Sequence, residues 1–550
     1  MKIQELFAGY RGGTRQSKSA SRNPLVLLAV AAALIAIVVQ SGELGSADTQ
    51  HRENAAHALW TGDPPVFPYE YPEFGIHGRN GKLQTWYGIG QPLLMLPFDV
   101  AGTYIERLPV FADYNGNDPS VRNIVVSYGV NILLNVLTAL VCFRFLRRMN
   151  FSVGQSAAGV LALLLLTTHL HYTQNMMENN YICLLTLAGF CWQLEWAQTG
   201  SRRALLIGTA ALGLNLLTRL TTGLDLLGCA LFAALALRLS GTRGSALRAR
   251  AKSFAAVTLP VYAFFILLDR LYQFYRFGSF TDTYADIAAR EWRALDPSLP
   301  ANFPFSAPFH SGFFGALFAP EKSIFLFDPL LILMAILAVV AWRRMTPAIK
   351  AYAIATAAML LASICFYARY FTFAGDSAWG DRYVATTAEL AALLAVPLLL
   401  LLWREAGRVV RALGAALIAA SAVVQAASVA FWLSLELYQE ETLGHPTFVV
   451  WLRLKNIAAF ALGKMDAWGL VNSPMHGDPW DYVHITCWSF LPFLLRRVGE
   501  APAWVCNLTL ALWWAALAAL AIVLWRLWRV LTLQNQGKRS VLKGHDLNGD

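Results

Sequence analysis

Long apolar runs alternate with short basic ones along most of this chain, and the spacing predicts membrane helices. Twelve spans are expected, at 24–39, 121–143, 153–170, 178–197, 204–218, 220–237, 253–273, 323–342, 351–368, 384–403, 411–432 and 504–528. The first is read as a span and not as a removed signal, because many more spans follow it. The apolar run Ala204–Leu237 is too long for one ordinary span, and a single helix there would place Arg203 and Arg238 on opposite sides of the membrane. A hairpin removes both difficulties, with its tip at Arg219-Leu220-Thr221-Thr222-Gly223 near the outer interface.

Charge placement supports the same plan. The clusters Arg144/Arg147/Arg148, Arg202/Arg203, Arg243/Arg248/Arg250/Lys252 and Arg343/Arg344/Lys350 fall at alternate span ends, so these loops and both termini are assigned to the inside. Of the 44 basic residues, 26 then lie inward, which accounts for the net charge of +10 without nucleic acid as a partner. With 57% hydrophobic and 14% charged residues and a mean hydropathy of +0.46, the chain is an all-α polytopic membrane protein and not a soluble one. Its seven cysteines sit mostly inside apolar runs and show no disulfide framework or zinc spacing.

The inner loops are short and the tail 529–550 is polar, as is the inner segment 1–23, so chemistry is expected in the bundle 24–432 or on its outer face. Three outer segments are large: 42–120, 274–322 and 433–503, the last followed by the final span at 504–528. The first opens with Asp48 at the start of a short helix ending at Gly62, expected to lie along the membrane on its Ala/Leu/Trp side. An aspartate there is ordinarily the N-cap. Tyr87-Gly88-Ile89-Gly90-Gln91 follows without the context of a nucleotide-phosphate loop, and Leu93–Val100 is too short to span.

Glu178, at the head of a span, would cost a few kcal/mol facing lipid and is expected to meet a cavity or a partner. His169, His171 and Glu178 are the candidate metal ligands, although two histidines two apart specify a metal poorly, and a satisfied loop histidine is the default. Arg219, Lys322 and Arg382 all fall at the depth of a lipid phosphate, where Arg forks onto oxygens and Lys acts as a point charge. The plainer reading is that these cations snorkel as topological anchors. Segment 433–503 offers Trp451, Arg453, Trp468, His476, Asp478, Trp480, Asp481 and Trp488, groups that suit a saccharide acceptor.

Taken in order, Asp48 with its helix through Arg52 and Gly62, Tyr87-Gly88-Ile89-Gly90-Gln91 with Pro97, Ala319-Pro320-Glu321-Lys322-Ser323 and Trp379-Gly380-Asp381-Arg382-Tyr383 resemble the GT-C superfamily of membrane glycosyltransferases. The likeness is to a bacterial branch near the protein mannosyltransferases and aminoarabinose transferases, and covers about residues 24–400. Thr49 stands where many relatives carry a second acid, and Asp381 where they carry proline. The resemblance implies a GT-C-like bundle with juxtamembrane helices on its outer face; the Ala/Leu-rich composition suits a bacterial inner membrane and is compatible with an endoplasmic-reticulum membrane as the alternative. The resemblance also implies inverting hexosyl or pentosyl transfer from a polyprenyl-phosphate-linked sugar to a glycan, lipid or protein acceptor.

Asp48 would be the general base, its pKa raised by partial desolvation. Arg219, Lys322 and Arg382 would hold the lipid phosphate, while Arg52, Glu178 and Tyr383 would orient acceptor or substrate. The sequence requires no cofactor and leaves divalent-metal use open. The alternative is a transporter or flippase of lipid-linked saccharides, which would show charged or broken helices near the midplane.

Overall fold

The computed structural model describes residues 24–66, 75–114, 119–373, 375, 378–441, 444–464, 487–498 and 501–545. Apart from a two-stranded antiparallel ribbon, regular structure among them is helical. The first helices are α1 (Pro24–Val39) and α2 (Ala47–Thr61), followed by the ribbon β1 (Ile76–His77) and β2 (Leu83–Gln84). Then come α3 (Gly90–Glu106), α4 (Val121–Arg148), α5 (Val153–Leu166), α6 (His169–Gln174), α7 (Asn179–Thr199), α8 (Arg202–Leu216), α9 (Gly223–Leu239) and α10 (Gly244–Phe277). The short α11 (Tyr284–Leu295) and α12 (Phe309–Phe318) lead into α13 (Ile324–Phe327), α14 (Leu330–Ala341), α15 (Pro347–Tyr367), α16 (Ala385–Ala392), α17 (Ala395–Leu402) and α18 (Arg408–Ser428). The remainder is α19 (Ser434–Glu441), α20 (Val449–Ala461), α21 (Leu491–Val498) and α22 (Ala503–His545).

Among the described residues, seven helical segments are long and apolar enough to cross a membrane: Val121–Arg148, Leu220–Leu239, Gly244–Phe277, Pro347–Tyr367, Ala385–Leu402, Arg408–Ser428 and Ala503–Thr532. Pro24–Val39 and Val153–Leu166 are shorter apolar helices. The other expected spans are helical as well, and the chain is an integral multi-pass membrane protein. The expected hairpin is present, with α8 and α9 joined by a 3-10 turn at Leu220–Thr222.

Two expected spans are broken. The segment 323–342 is interrupted at Asp328-Pro329, where Pro329 cannot donate a helical hydrogen bond and Asp328 accepts instead from Thr168 N and Oγ1, at 2.8 and 3.0 Å. The segment 384–403 is interrupted at Leu393-Leu394.

The core is a continuous apolar cluster in which α7 packs on α8, α9 on α15 and α1 on α4. At its centre the rings of Phe145, Phe190, Phe232 and Tyr352 meet edge to face or tilted, with centroids 5.1–6.3 Å apart. Lipid tails are as apolar as these side chains, so close ring packing, not expulsion of water, favours this association. The Tyr352 hydroxyl donates to Leu390 O at 2.7 Å, which satisfies its one polar group. By contrast α10 and the apolar part of α22 are scarcely buried and present Leu259, Phe264, Leu267, Leu512 and Trp514 outward, as lipid-facing helices do.

Candidate active site

Asp48 stands at the second position of α2, and the N-cap is Ser46, whose Oγ accepts from Thr49 N at 3.3 Å. This corrects the expectation that Asp48 caps the helix, and it leaves the carboxylate available for long-range partners. Gly62, in the left-handed conformation at φ 83°, ends the helix as expected. The buried side of α2 carries Arg52, Glu53 and Asn54 together with Ala55 and Ala56, whereas Leu59 is exposed.

Two ion pairs lie side by side. Arg382 Nη1 donates to Asp48 Oδ2 at 2.7 Å, and the Tyr87 hydroxyl donates to Asp48 Oδ1 at 2.6 Å. Glu178 accepts from Arg52 Nη2 at 2.6 Å through one oxygen and from Arg219 through the other. Arg52 lies 4.1 Å over the Tyr87 ring, while Arg219 and Arg382 each lie 5.3 Å from the Tyr383 ring. Tyr383 in turn stacks on Tyr367 at 4.5 Å. Three guanidinium groups thus share two carboxylates and leave one net positive charge. Arg52 Nη1 and Arg382 Nε are buried N–H groups with no hydrogen-bond partner among the described residues, a donor set suited to an anion.

These side chains line a cavity of about 440 Å³. Its other half is aromatic: Trp86 stacks on Trp292 at 6.1 Å, Trp292 on Phe303 at 5.8 Å, and Phe371 closes against Phe303 at 4.9 Å. A charged floor beneath an apolar wall fits an amphiphile with an anionic head.

Close backbone approach explains the glycines around Tyr87. Gly90 N donates to Leu217 O at 2.8 Å, and a Cβ on Gly88 would stand 2.2 Å from the same carbonyl. The Gly88-Ile89-Gly90 turn therefore fastens the first loop to the hairpin that carries Arg219. Gly88→Ala is expected to lower stability by about 1–3 kcal/mol through overpacking, which thermal unfolding in detergent would measure. Arg276, at the end of α10, donates to Thr85 O and to Tyr87 O, fixing the segment from its other side. Asn179 Nδ2 donates to Arg382 O at 2.8 Å, so the head of α7 positions both ion pairs.

The electrostatics of Asp48 run opposite to expectation. Burial does push its carboxyl up, but Arg382, Arg52 and the Tyr87 hydroxyl outweigh burial and hold it at about 2. Burial likewise draws Arg52 down, to about 10, against the attraction of Asp48. For Arg382 burial is overcome by Asp48 and the net direction is upward. Tyr87 is raised well above the usual tyrosine range, by burial first and Asp48 second, so it acts as a donor. Because the folded pKa of Asp48 lies below the ordinary value near 4, its ionised form stabilises the fold above about pH 4, and that contribution is lost as pH falls toward about 2.

Lys322, expected on the phosphate, does not line the cavity. Its Nζ donates to Ala378 O at 2.9 Å and Gly380 O at 3.4 Å, so it braces the turn preceding Arg382. Asp381 lies in the same turn, where burial pushes its carboxyl up to about 7 against the pull of Lys322. The three candidate metal ligands are separately engaged: Glu178 by arginines, and His171 by Ser428 O at 3.2 Å and Asn175. His169 instead faces Glu389.

Arg453 is buried in a two-pronged pair with Glu436, at 2.6 and 2.7 Å, and Trp488 stacks on Phe431; neither lines the cavity. Trp451 is exposed, and Trp468, His476, Asp478, Trp480 and Asp481 lie outside the described residues. Sequence reasoning missed Arg276, Asn179 and Tyr367 as positioning groups. The neighbours of Asn179 and the arginine ending an apolar run were the available signals.

No protein-family model matches the chain, and no curated protein matches it either. Among solved structures, ArnT from Cupriavidus metallidurans bound to undecaprenyl phosphate aligns with 82% of this chain and 72% of its own, at 14% identity and a TM-score of 0.39.

Proposed function

We propose that this protein is a GT-C-type glycosyltransferase, transferring a hexose or pentose from a polyprenyl-phosphate donor to an acceptor hydroxyl on the outer face of a bacterial inner membrane. The observation that carries this reading is one cavity holding the Asp48 carboxylate beside three guanidinium groups and an aromatic wall. The acceptor hydroxyl attacks the anomeric carbon, the bond from that carbon to the phosphate oxygen breaks, and polyprenyl phosphate leaves. The hydroxyl proton passes to Asp48, and Arg382, Arg219 and Arg52 take up the phosphate charge.

The low pKa of Asp48 fits this scheme through competition. A bound phosphate draws Arg382 away from the carboxylate, removes the largest influence lowering its pKa, and leaves a stronger base where the proton must go. Lys322 acts indirectly, by holding the turn that presents Arg382.

Purified protein in lipid, supplied with a panel of radiolabelled polyprenyl-phosphate sugars and acceptor, should release polyprenyl phosphate. Arg382→Ala should lose about 100- to 1,000-fold in that release, the scale for one preorganised donor to a developing anion. Arg382→Lys should recover only part, since it keeps the charge and lacks the fork. A second reading, carriage of a lipid-linked saccharide, draws on the broken segments at Asp328 and Leu393, on the buried carboxylates Asp225 and Glu389 within apolar helices, and on buried Asp328 at its break. Movement of labelled lipid between leaflets with no glycosidic cleavage, and unchanged in Asp48→Asn, would favour that carrier.

A further inference from the structure

Below the cavity a separate polar cluster lies wholly inside the bundle and takes no part in the transfer scheme. His169 opens α6, Cys183 lies just over one turn into α7, Glu389 lies just over one turn into α16, and all three are fully buried. Their ligand atoms all lie within 4.8 Å of one another, although residues 169, 183 and 389 come from three separate helices.

The hydrogen bonds fix which atoms face inward. Asn135 Nδ2 points to Ala32 O at 3.5 Å, which turns Asn135 Oδ1 toward His169 Nε2 at 3.0 Å. A carbonyl oxygen only accepts, so Nε2 carries the ring hydrogen and Nδ1 of the neutral ring presents a lone pair. That nitrogen faces Glu389 Oε2 at 3.7 Å with no N–H or hydroxyl donor on either atom among the described residues, and the one donor in range of the Glu389 carboxylate on this side is the Cys183 thiol. The Thr168 hydroxyl lies within bonding distance of both Asp328 Oδ2 and Glu389 Oε1, yet has one proton to give. Facing acceptors in a low-dielectric interior repel unless something positive stands between them.

We propose that His169 Nδ1, Cys183 Sγ and Glu389 Oε2 bind one divalent cation of the zinc class, tying α6, α7 and α16 together beneath the cavity. The ligand set is nitrogen, sulfur and oxygen, which zinc accepts together. A thiolate and a carboxylate cancel the charge of the dication, and the neutral imidazole adds none, so the assembled site is neutral where burial penalises net charge. Bonds of about 2.0–2.3 Å place tetrahedral ligands roughly 3.5 Å apart, so closure asks for shifts of about 1 Å at most. Cys183 stands just over one turn beyond Glu178 and Asn179, and Glu389 follows Arg382 into the bundle. The ion therefore sets the relative heights of the two ion pairs and touches no reactant.

The test is metal analysis of the full chain purified in lipid nanodiscs without chelators, followed by exchange with cobalt. About one zinc per chain and a thiolate-to-cobalt charge-transfer band are expected. Cys183→Ala should lose both, whereas Cys229→Ala, which removes a buried thiol facing Thr186 O at 3.8 Å, should keep both. Wild-type protein that holds no zinc and gives no cobalt–thiolate band overturns the proposal and leaves a proton shared by His169 and Glu389. Equal metal in the two cysteine variants overturns it as well. Should Cys183→Ala fail to fold, the wild-type cobalt spectrum alone decides.

Discussion

Asp48→Asn is expected to lower the rate of sugar transfer by about 100- to 10,000-fold while leaving donor binding intact or stronger. Asparagine keeps the shape and one acceptor oxygen for the Tyr87 hydroxyl, so the fold around the site should survive. What it loses is the place for a proton and the charge that occupies Arg382 in the absence of donor. Freed from Asp48, Arg382 is available to phosphate without first breaking a pair. Single-turnover rates should therefore fall while the affinity for a non-transferable polyprenyl-phosphate sugar holds or rises. A parallel loss of affinity and rate would mean that the carboxylate organises the cavity and does not serve as base.

The pH profile separates the same possibilities in the wild type. In the free protein Asp48 is held at about 2, so it contributes no acid limb to kcat/KM in the ordinary working range. Once phosphate engages Arg382 the carboxylate binds a proton more readily, and the acid limb of kcat should appear at higher pH than that of kcat/KM. Limbs that coincide would argue against competition for Arg382.

Glu178→Gln carries the second large effect, and it falls on stability. Glu178 is only 3% exposed and is the shared counterion of Arg52 and Arg219. The amide leaves two guanidinium groups in a cavity with one carboxylate fewer, and breaking a buried pair in this way costs about 3–5 kcal/mol. The net charge of the pocket rises from one to two, so an anion should bind more tightly. Thermal unfolding with and without polyprenyl phosphate should show a lower midpoint for the unliganded variant and a larger ligand-induced rise than in the wild type. If both the midpoint and the ligand-induced rise decrease, Glu178 serves the anion by holding Arg52 and Arg219 in place and not merely as a counterion that competes with it.

Span positions were legible because a helix crossing lipid must be apolar for most of its length, whatever its partners. The hairpin at Arg219 could be read from length and charge alone. Asp48, Arg219 and Arg382 were legible as polar groups at span ends, and Glu178 as an acid too costly to face lipid. Their pairing was not, because Arg382 meets Asp48 across 334 positions of chain. Lys322 was misplaced for a related reason: position at a span end says nothing about which carbonyls a lysine reaches, and Ala378 and Gly380 lie in another loop. The histidines were grouped with Glu178 by proximity in sequence, whereas the turn between α6 and α7 sends His169 into the bundle and Glu178 into the cavity. Burial of Asp48 was anticipated, but its effect on acidity was reversed by partners that only the folded chain supplies.

Within α10 the uncharged stretch runs over 253–268, bounded by Lys252 on one side and by Asp269 and Arg270 on the other, and little protein packs around it. Its apolar length and the local bilayer thickness must therefore be matched by bilayer adjustment. Arg276 rides on the end of this helix and is bonded to the backbone of Thr85 and Tyr87, one residue from the turn against Leu217 and one hydroxyl from Asp48. Hydrophobic mismatch at the rim of the protein is thereby coupled mechanically to the carboxylate at its centre, and acyl-chain length becomes a variable of the site.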